Sequence, residues 1–370
     1  MDSEFMKEAL RLARRGLGRT SPNPAVGAVI VQNDRIIAKG YHHSAGMPHA
    51  EIEALQKMGG QAEGATLYVT LEPCNHQGRT PPCTQAILKS GIKRVVVGMK
   101  DPNPDVSGDG CGFLRSKGIE VEIGILESEC QRLNEAFVKF VTHKKPFVAV
   151  KSAMTLDGWT ATSIGHSKWI TNEKSRQFVH RLRNRADAVL VGIGTVIADN
   201  PKLTTRLRSG KGQDALRVIL DTHLRTPPDA EMIRQISSAL TIIAVGPDVD
   251  PKNLDNFNSE GVSIQVCPTK NGMVDLDELL ILLGRMDITY LLVEGGATIA
   301  GSFIRERLVD KFYLFKAPKL LGGDDGKPMA SGKGADRMEE SLKLKEIALR
   351  RFGDDVLITG YPDYSTRDQI

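Results

Sequence analysis

The sequence predicts two α/β domains in series, and three observations carry that expectation. Its 370 residues exceed what one usual core organises. Apolar strand-like runs alternate with helix-periodic stretches in both halves. A charged, proline-ended break, His143-Lys144-Lys145-Pro146, interrupts the alternation near the middle. The expected division is therefore 1–144 and 145–370.

In the first half, Met6, Ala9, Leu10 and Ala13 fall at helical spacing, and Gly16 supplies a C-cap. Ala25–Val31 and Arg35–Gly40 read as strands joined through the polar turn Gln32-Asn33-Asp34. A helix is expected to open at His49, with Ile52, Leu55 and Met58 on its apolar side. Thr66–Leu71 and Arg94–Met99 are strands, separated by a helix that has Pro82 at its first position and ends near Gly91. The last unit runs from a helix near Phe113–Lys117 through a strand at Glu120–Ile125 to one helix over Ser128–Phe140. This alternation predicts an α/β/α sandwich.

The second half restarts with a strand at Phe147–Ala153. Further strands are expected at Ala188–Val191, Val218–Leu220, Thr241–Val245, Ser263–Val266, Tyr290–Val293 and Phe312–Phe315, with helices at Asn172–Arg183 and Leu276–Arg285. Such a pattern builds a largely parallel sheet covered on both faces. The polar tail after Tyr361 reads as frayed.

Composition narrows the function classes. The hydrophobic (41%) and charged (25%) fractions are those of a soluble globular protein. A net charge of +4 gives no electrostatic footprint for nucleic acid. Of five cysteines, Cys111, Cys130 and Cys267 lack framework spacing, as expected of a reducing compartment. Residues 1–15 mix charges with apolar residues and contain no secretory or membrane-inserting core, so a cytoplasmic protein with no membrane partner is expected.

Chemistry enters with His49-Ala50-Glu51, Glu72-Pro73-Cys74 and Cys83. One imidazole and two thiolates supply three zinc ligands and leave the fourth tetrahedral position for water, which marks a catalytic rather than a structural zinc. The metal lowers the pKa of that water toward roughly 7. A glutamate two residues after the histidine is then placed to carry the proton to a ring and to departing ammonia, the pattern of zinc deaminases. Eight residues, Asn75–Pro82, separate the two cysteines where the usual signature has two, so the intervening loop, with Asn75, His76, Arg79 and Thr80, can reach a ligand larger or more anionic than a bare base. Cys83, in a first helical turn, gains from a dipole that favours thiolate.

Signals in the second half are weaker singly. Leu291–Val293 runs into Glu294-Gly295-Gly296 and a helix, a junction that suits either a phosphate at helix amides or a tight structural turn. Gly192-Ile193-Gly194 begins like a dinucleotide fingerprint, but Ile197 occupies the third glycine position, so a standard Rossmann reading fails. Lys151, on an otherwise apolar strand, either snorkels to solvent or points into a cleft. Arg183 and Arg206 suit a bidentate phosphate contact as well as a solvated face.

Taken together, these motifs make the chain resemble the bifunctional deaminase–reductase family of riboflavin biosynthesis over nearly its whole length. The N-terminal half resembles the cytidine-deaminase superfamily through the Cys74-to-Cys83 motif, Thr20–Gly27 and Asp101–Pro104. The C-terminal half resembles the family's dihydrofolate-reductase-like domain through Lys151–Gly158, Ser167–Thr171, Gly192–Thr195, Ala198–Pro201 and Val293–Gly296. The resemblance implies one Zn²⁺ per chain, NADPH, a homo-oligomer, and a small-molecule substrate, 2,5-diamino-6-ribosylamino-4(3H)-pyrimidinone 5′-phosphate. The substrate is deaminated first, and its ribosyl group is then reduced to ribityl. For the first step the resemblance implies zinc on His49, Cys74 and Cys83, proton transfer by Glu51, and substrate contacts from Asn23, His42, His76 and Arg79. For the second it implies Lys151 near the reacting sugar carbon, with Ser167, Arg183, Leu203, Arg206 and Glu294 around the substrate. Cofactor contacts are expected from Ala153, Trp169, Thr195, Asp199, Thr222 and Gly296. Arg225, just past Asp221-Thr222, is our own candidate for the 2′-phosphate of NADPH. The competing expectation is a nucleobase or nucleoside deaminase fused to a catalytically silent nucleotide-binding domain.

Overall fold

The computed structural model describes every residue except 77–80, 105–108, 211, 236, 258–259 and 366–370. The chain forms two compact units, Met1–Lys145 and Pro146–Ile370. Among the described residues, no helix is long and apolar enough to cross a membrane.

In the first unit, strands β1 (Gly27–Gln32), β2 (Arg35–Tyr41), β3 (Thr66–Leu71), β4 (Arg94–Met99) and β5 (Glu120–Ile123) form a sheet in the order β2-β1-β3-β4-β5. β1 pairs antiparallel with β2 and β3, and the β3–β4 and β4–β5 pairs are parallel. The helices are α1 (Asp2–Ala13), α2 (Ala50–Gln56), α3 (Cys83–Lys89), α4 (Gly110–Ser116), α5 (Glu127–Leu133) and α6 (Glu135–His143). Side-chain alternation along β1 builds the three layers. Ala28 and Ile30 pack with Ala54, Ile87 and Leu114 of α2, α3 and α4, while Val29 and Val31 pack with Met6 and Leu10 of α1 and Cys130 of α5. Asn33 and Asp34 both adopt positive φ, which suits the tight β1–β2 hairpin. Gly40 lets α2 lie close on β2, because a Cβ there would stand 2.2 Å from Ala50 O.

The helix expected over Ser128–Phe140 is two helices. Asn134 breaks it at φ −106° and ψ 23°. Its Oδ1 accepts from Ala25 N at 2.8 Å and its Nδ2 donates to Ala25 O at 3.1 Å. That exchange satisfies both backbone groups of buried Ala25 and pins the entry to β1. Pro82 also sits one position earlier than expected, at the N-cap of α3, leaving Cys83 as its first residue.

In the second unit the elements are β6 (Phe147–Thr155), β7 (Trp159–Ala161), α7 (Glu173–Arg183), β8 (Ala188–Gly192), α8 (Ile193–Asp199), β9 (Leu216–Leu220), α9 (Glu231–Arg234), β10 (Thr241–Val245), α10 (Pro251–Leu254) and β11 (Val262–Val266). They continue through β12 (Thr269–Lys270), β13 (Met273–Val274), α11 (Leu276–Arg285), β14 (Tyr290–Val293), α12 (Ala297–Arg305), β15 (Lys311–Ala317), β16 (Lys327–Pro328), β17 (Lys343–Phe352) and β18 (Asp355–Asp363). The main sheet runs β11-β10-β9-β8-β14-β6-β15-β18-β17. Pairings from β11 through β15 are all parallel, and β18 and β17 add an antiparallel edge. Phe312 and Phe315 of β15, three residues apart and so on opposite faces, show that both faces are covered. Phe312 joins Leu279 and Leu283 of α11 and Phe303 of α12, whereas Phe315 packs with Phe178 and Val179 of α7. Full burial of a phenylalanine such as Phe303 stabilises by about 1.5–3 kcal/mol.

The hairpin β17–β18 corrects the frayed tail. Residues to Asp363 are in strand, and Tyr364 Oη donates to Val309 O at 3.0 Å. Asp355, buried in this hairpin, accepts from Asn172 N at 2.8 Å and Ser175 Oγ at 2.6 Å, while Asn172 Oδ1 caps α7 by accepting from Ser175 N. The edge hairpin thereby fixes the start of the helix that carries His180 and Arg183.

Candidate active sites

In the first unit the three metal-ligating atoms converge. His49 ends an extended segment as the N-cap of α2, Cys74 follows β3, and Cys83 opens α3. His49 Nδ1 lies 3.2 Å from Cys83 Sγ and 3.5 Å from Cys74 Sγ, and all three atoms are within 4.8 Å of one another. Ligands about 2.0–2.3 Å from a tetrahedral zinc stand roughly 3.5 Å apart, so this donor set fits the ion. Cys83 N donates to Cys74 Sγ at 3.3 Å, a contact that favours thiolate. The Cys74 thiol is held well below the usual thiol range, chiefly through its hydrogen bond from the Cys83 side chain and also through His49, while the Cys83 thiol is pushed up by sharing that proton.

Glu51, two residues into the same helix, is 3% exposed. Burial, reinforced by the neighbouring Cys74 charge, raises its carboxyl to about 6. His42 is buried beside His49, the rings edge-on with centroids 5.4 Å apart. His42 Nδ1 bonds Pro48 O at 3.1 Å and must donate to it, so Nε2, 3.2 Å from Asn23 Nδ2, accepts. Burial lowers the His42 pKa and favours this neutral form. Asn23 in turn rides on the segment that Asn134 anchors at Ala25. Asn75 Oδ1, just past Cys74, accepts from the buried Thr84 Oγ1 at 2.7 Å and steadies the exit from the first thiolate. His76 follows on the same loop, and Arg79 lies outside the described residues. Cys111, Cys130 and Cys267 are buried and unbridged, two of them in the cores of the first unit.

In the second unit a cavity of about 920 Å³ opens at the carboxyl ends of β6, β8, β9 and β14, where ligands sit in open parallel sheets. Parallel register brings its charges together. Val150 pairs with Val293, so the next residues, Lys151 and Glu294, emerge side by side from the apolar ladder. Lys151 Nζ lies 3.8 Å from Glu294 Oε2. Arg183, from α7, grips the same carboxylate through Nε at 2.6 Å and Nη2 at 3.1 Å, and its Nη1 donates to Thr204 O at 3.2 Å. Side-chain exposures of 18% for Lys151, 14% for Arg183 and 7% for Glu294 make this a largely desolvated triad. Burial alone would raise the Glu294 carboxyl, but Arg183 and Lys151 outweigh it and hold it at about 2. Burial lowers the Lys151 pKa, which the Glu294 charge only partly offsets. Arg183, in the cavity wall, thus spends its fork on Glu294 and the Thr204 backbone.

Ala153, Ser167 and Arg206 line the same cavity as the triad. Trp169, 62% exposed, lies under the Arg176 guanidinium at 4.4 Å from its ring centroid. Thr195 and Asp199 come from α8, Thr222 and Arg225 from the turn after β9, and Gly296 caps α12. Leu203 is buried at φ +51°, three residues before Arg206. A Cβ on Gly194 would meet no atom within 4 Å, and one on Gly296 only Thr195 Oγ1 at 3.5 Å, so the missing side chains leave room at two neighbouring helix starts. The volume, the open glycines, the aromatic plane and the cations fit a dinucleotide beside a second small ligand. His180 and Arg176 also line the cavity and were not singled out from the sequence, where helical spacing gave them no distinguishing mark.

Comparisons with known proteins follow the same division. The cytidine and deoxycytidylate deaminase zinc-binding region matches residues 1–99, and the RibD C-terminal domain matches residues 146–358. The chain is 42% identical over 357 residues to the riboflavin biosynthesis protein RibD of Actinobacillus pleuropneumoniae, covering 96% of this chain and 94% of that one. It is 43% identical over 358 residues to the RibD of Aquifex aeolicus, covering 97% and 98%. Among solved structures, a diaminohydroxyphosphoribosylaminopyrimidine deaminase/5-amino-6-(5-phosphoribosylamino)uracil reductase from Thermotoga maritima superposes with a TM-score of 0.86 at 40% identity, covering 98% of this chain and 99% of that one. RibD of Acinetobacter baumannii gives 0.87 at 38%, with the same coverage.

Proposed function

Because the chain belongs to the RibD family of bifunctional riboflavin-biosynthesis deaminase/reductases, we propose that its first unit deaminates a diaminopyrimidine ribosyl 5′-phosphate and its second reduces the ribosyl group of the product to ribityl. Deaminase and reductase activities both belong to this chain, with Zn²⁺ and NADPH as cofactors. The observation that carries the reading is the meeting of His49 Nδ1 with two cysteine sulfurs beside the buried Glu51.

His49, Cys74 and Cys83 hold the metal, which when bound supplies an activated water near neutral pH. Glu51 would carry one proton of that water to the ring nitrogen and the other to the leaving amine as the carbon–nitrogen bond breaks. Asn23, the neutral His42 and His76 orient the base or ribose, and Arg79 meets the phosphate. In the second unit NADPH, when bound, supplies the hydride. Lys151, held beside Glu294, directs the sugar oxygen and donates its proton as the carbon is reduced. Ser167 and Arg206 hold the substrate, Arg206 at its phosphate, while Arg183 keeps Glu294 in place. Trp169, Thr195, Asp199, Thr222 and Gly296 form the cofactor's bed. Cys111, Cys130 and Cys267, buried and unbridged, suit a reducing, cytoplasmic setting, and a homo-oligomer is the assembly we assign.

The test is a single assay that follows ammonia and NADPH together. Ammonia release without NADPH, followed by NADPH oxidation once it is added, supports the reading; NADPH oxidation in the absence of any deamination activity overturns it. Arg225→Ala is expected to raise KM for NADPH about tenfold and to leave KM for NADH unchanged, through loss of a charge-assisted contact to the 2′-phosphate. An unchanged cofactor preference would remove Arg225 from the site.

A further inference from the structure

Three side chains fix three successive residues of the segment that carries Arg206. Arg183 Nη1 donates to Thr204 O at 3.2 Å, Thr205 N donates to Asp214 Oδ1 at 2.6 Å, and Arg206 N donates to His180 Nδ1 at 3.3 Å. His180 and Arg183 lie three apart on α7 and so share one face of the helix. Of the three contacts, only the one from His180 is made to Arg206 itself. His180 is 8% exposed, in the cavity wall, while the Arg206 side chain reaches the cavity with one further bond, Nη1 to Thr204 Oγ1 at 3.3 Å.

An imidazole nitrogen accepts only when it carries no proton, so this contact requires a neutral ring with its hydrogen on Nε2. Burial, with the charges of Arg183 and Arg206, lowers the His180 pKa to about 4 and keeps that acceptor present through the neutral range. A protonated ring would set a donor against the Arg206 N–H and a third cation beside two guanidiniums. Glu294 and the Thr204 backbone pull the other way, and burial with the two guanidiniums outweighs them.

We propose that His180 is a positioning residue for the reductase: by fixing the backbone of Arg206 it pre-sets that guanidinium for the substrate's phosphate, so that selectivity for the phosphorylated over the unphosphorylated sugar depends on it. This rests on the reading of Arg206 as the phosphate contact. An arginine whose backbone is already placed loses less freedom on binding than one that must be ordered at the same time.

The test compares reduction of the deaminated ribosyl 5′-phosphate with that of its dephosphorylated counterpart. His180→Leu is expected to raise KM for the phosphorylated substrate about tenfold, with kcat and KM for NADPH near those of the parent and the dephosphorylated substrate unaffected. His180→Gln, whose amide oxygen can accept the same N–H, is expected to recover most of the loss. If His180→Leu does not fold, His180→Met fills a similar volume without the nitrogen acceptor and is read in the same way. In an Arg206→Gln background, removing His180 should cost nothing further. Equal losses on both substrates, a loss confined to kcat, or additive losses with Arg206→Gln would overturn the proposal. A parent enzyme that reduces both sugars equally well would overturn it together with the Arg206 assignment, and a parent that reduces neither would instead sink the reductase reading.

Discussion

Glu51→Gln is expected to abolish deamination, by about 10²–10⁴-fold in kcat, while the chain retains its zinc. The amide is nearly isosteric, so the buried side chain keeps its place on α2 and the three ligand atoms keep theirs. What it loses is the capacity to take a proton from water and hand it to the ring and the departing amine. Metal content by elemental analysis, beside the rate of ammonia release, separates this from His49→Ala, for which loss of metal is the expected outcome. A glutamine variant with normal deamination would show that some other group moves the protons. One that had lost its zinc would show that Glu51 holds the metal site together.

The second large effect belongs to Glu294. Its carboxylate accepts two bonds from Arg183 and faces Lys151 at 3.8 Å, all three side chains being largely desolvated. Glu294→Gln leaves two cations without their counter-charge, and breaking a buried arrangement of this kind costs about 3–5 kcal/mol. Reductase activity should fall with it, since Lys151 would lose the partner that sets its position, and deamination should persist. The pH dependence has a definite sign. Glu294 is held at about 2, below its ordinary value of 4.5, so its ionised form stabilises the fold fully above about pH 4.5 and that contribution is lost as the pH falls toward 2. The difference in stability between the parent and Glu294→Gln, read by denaturant titration, should therefore narrow as the pH falls below 4.5. A gap that widened on acidification would contradict the account.

Much of this architecture could be read before any coordinates, and the reasons differ by element. Thr66–Leu71, Arg94–Met99, Thr241–Val245 and Tyr290–Val293 are strands over the expected residues because interior strands of a covered sheet are buried on both faces and leave nearly unbroken apolar runs. The edge strand Lys343–Phe352 left no such mark: Lys345, Glu346, Arg350 and Arg351 face solvent, and a register shift between Lys345 and Ala348 spoils the alternation. Asn134 looks like one more helical residue until its two bonds to Ala25, 109 positions away, are seen. The zinc cluster was legible because its chemistry fixes residue types at short spacings. The Arg183–Glu294 pair was not, since its partners are 111 residues apart and only sheet register and α7 unite them. That is why Arg183 could be read as a phosphate contact or as part of a solvated face, and why His180, which acts through a backbone amide, left no signal at all.

The most direct measurement of the central claim, that one chain carries both reactions at separate sites, is the mass of the products formed by zinc-loaded protein from the diaminopyrimidine ribosyl phosphate, with and without NADPH, beside Glu51→Gln. The account predicts only the deaminated ribosyl compound without NADPH, the ribityl compound when NADPH is added, and unchanged substrate with the variant. Deamination that NADPH never carries further would contradict it, and the second unit would then be a nucleotide-binding domain without reductase chemistry on this substrate.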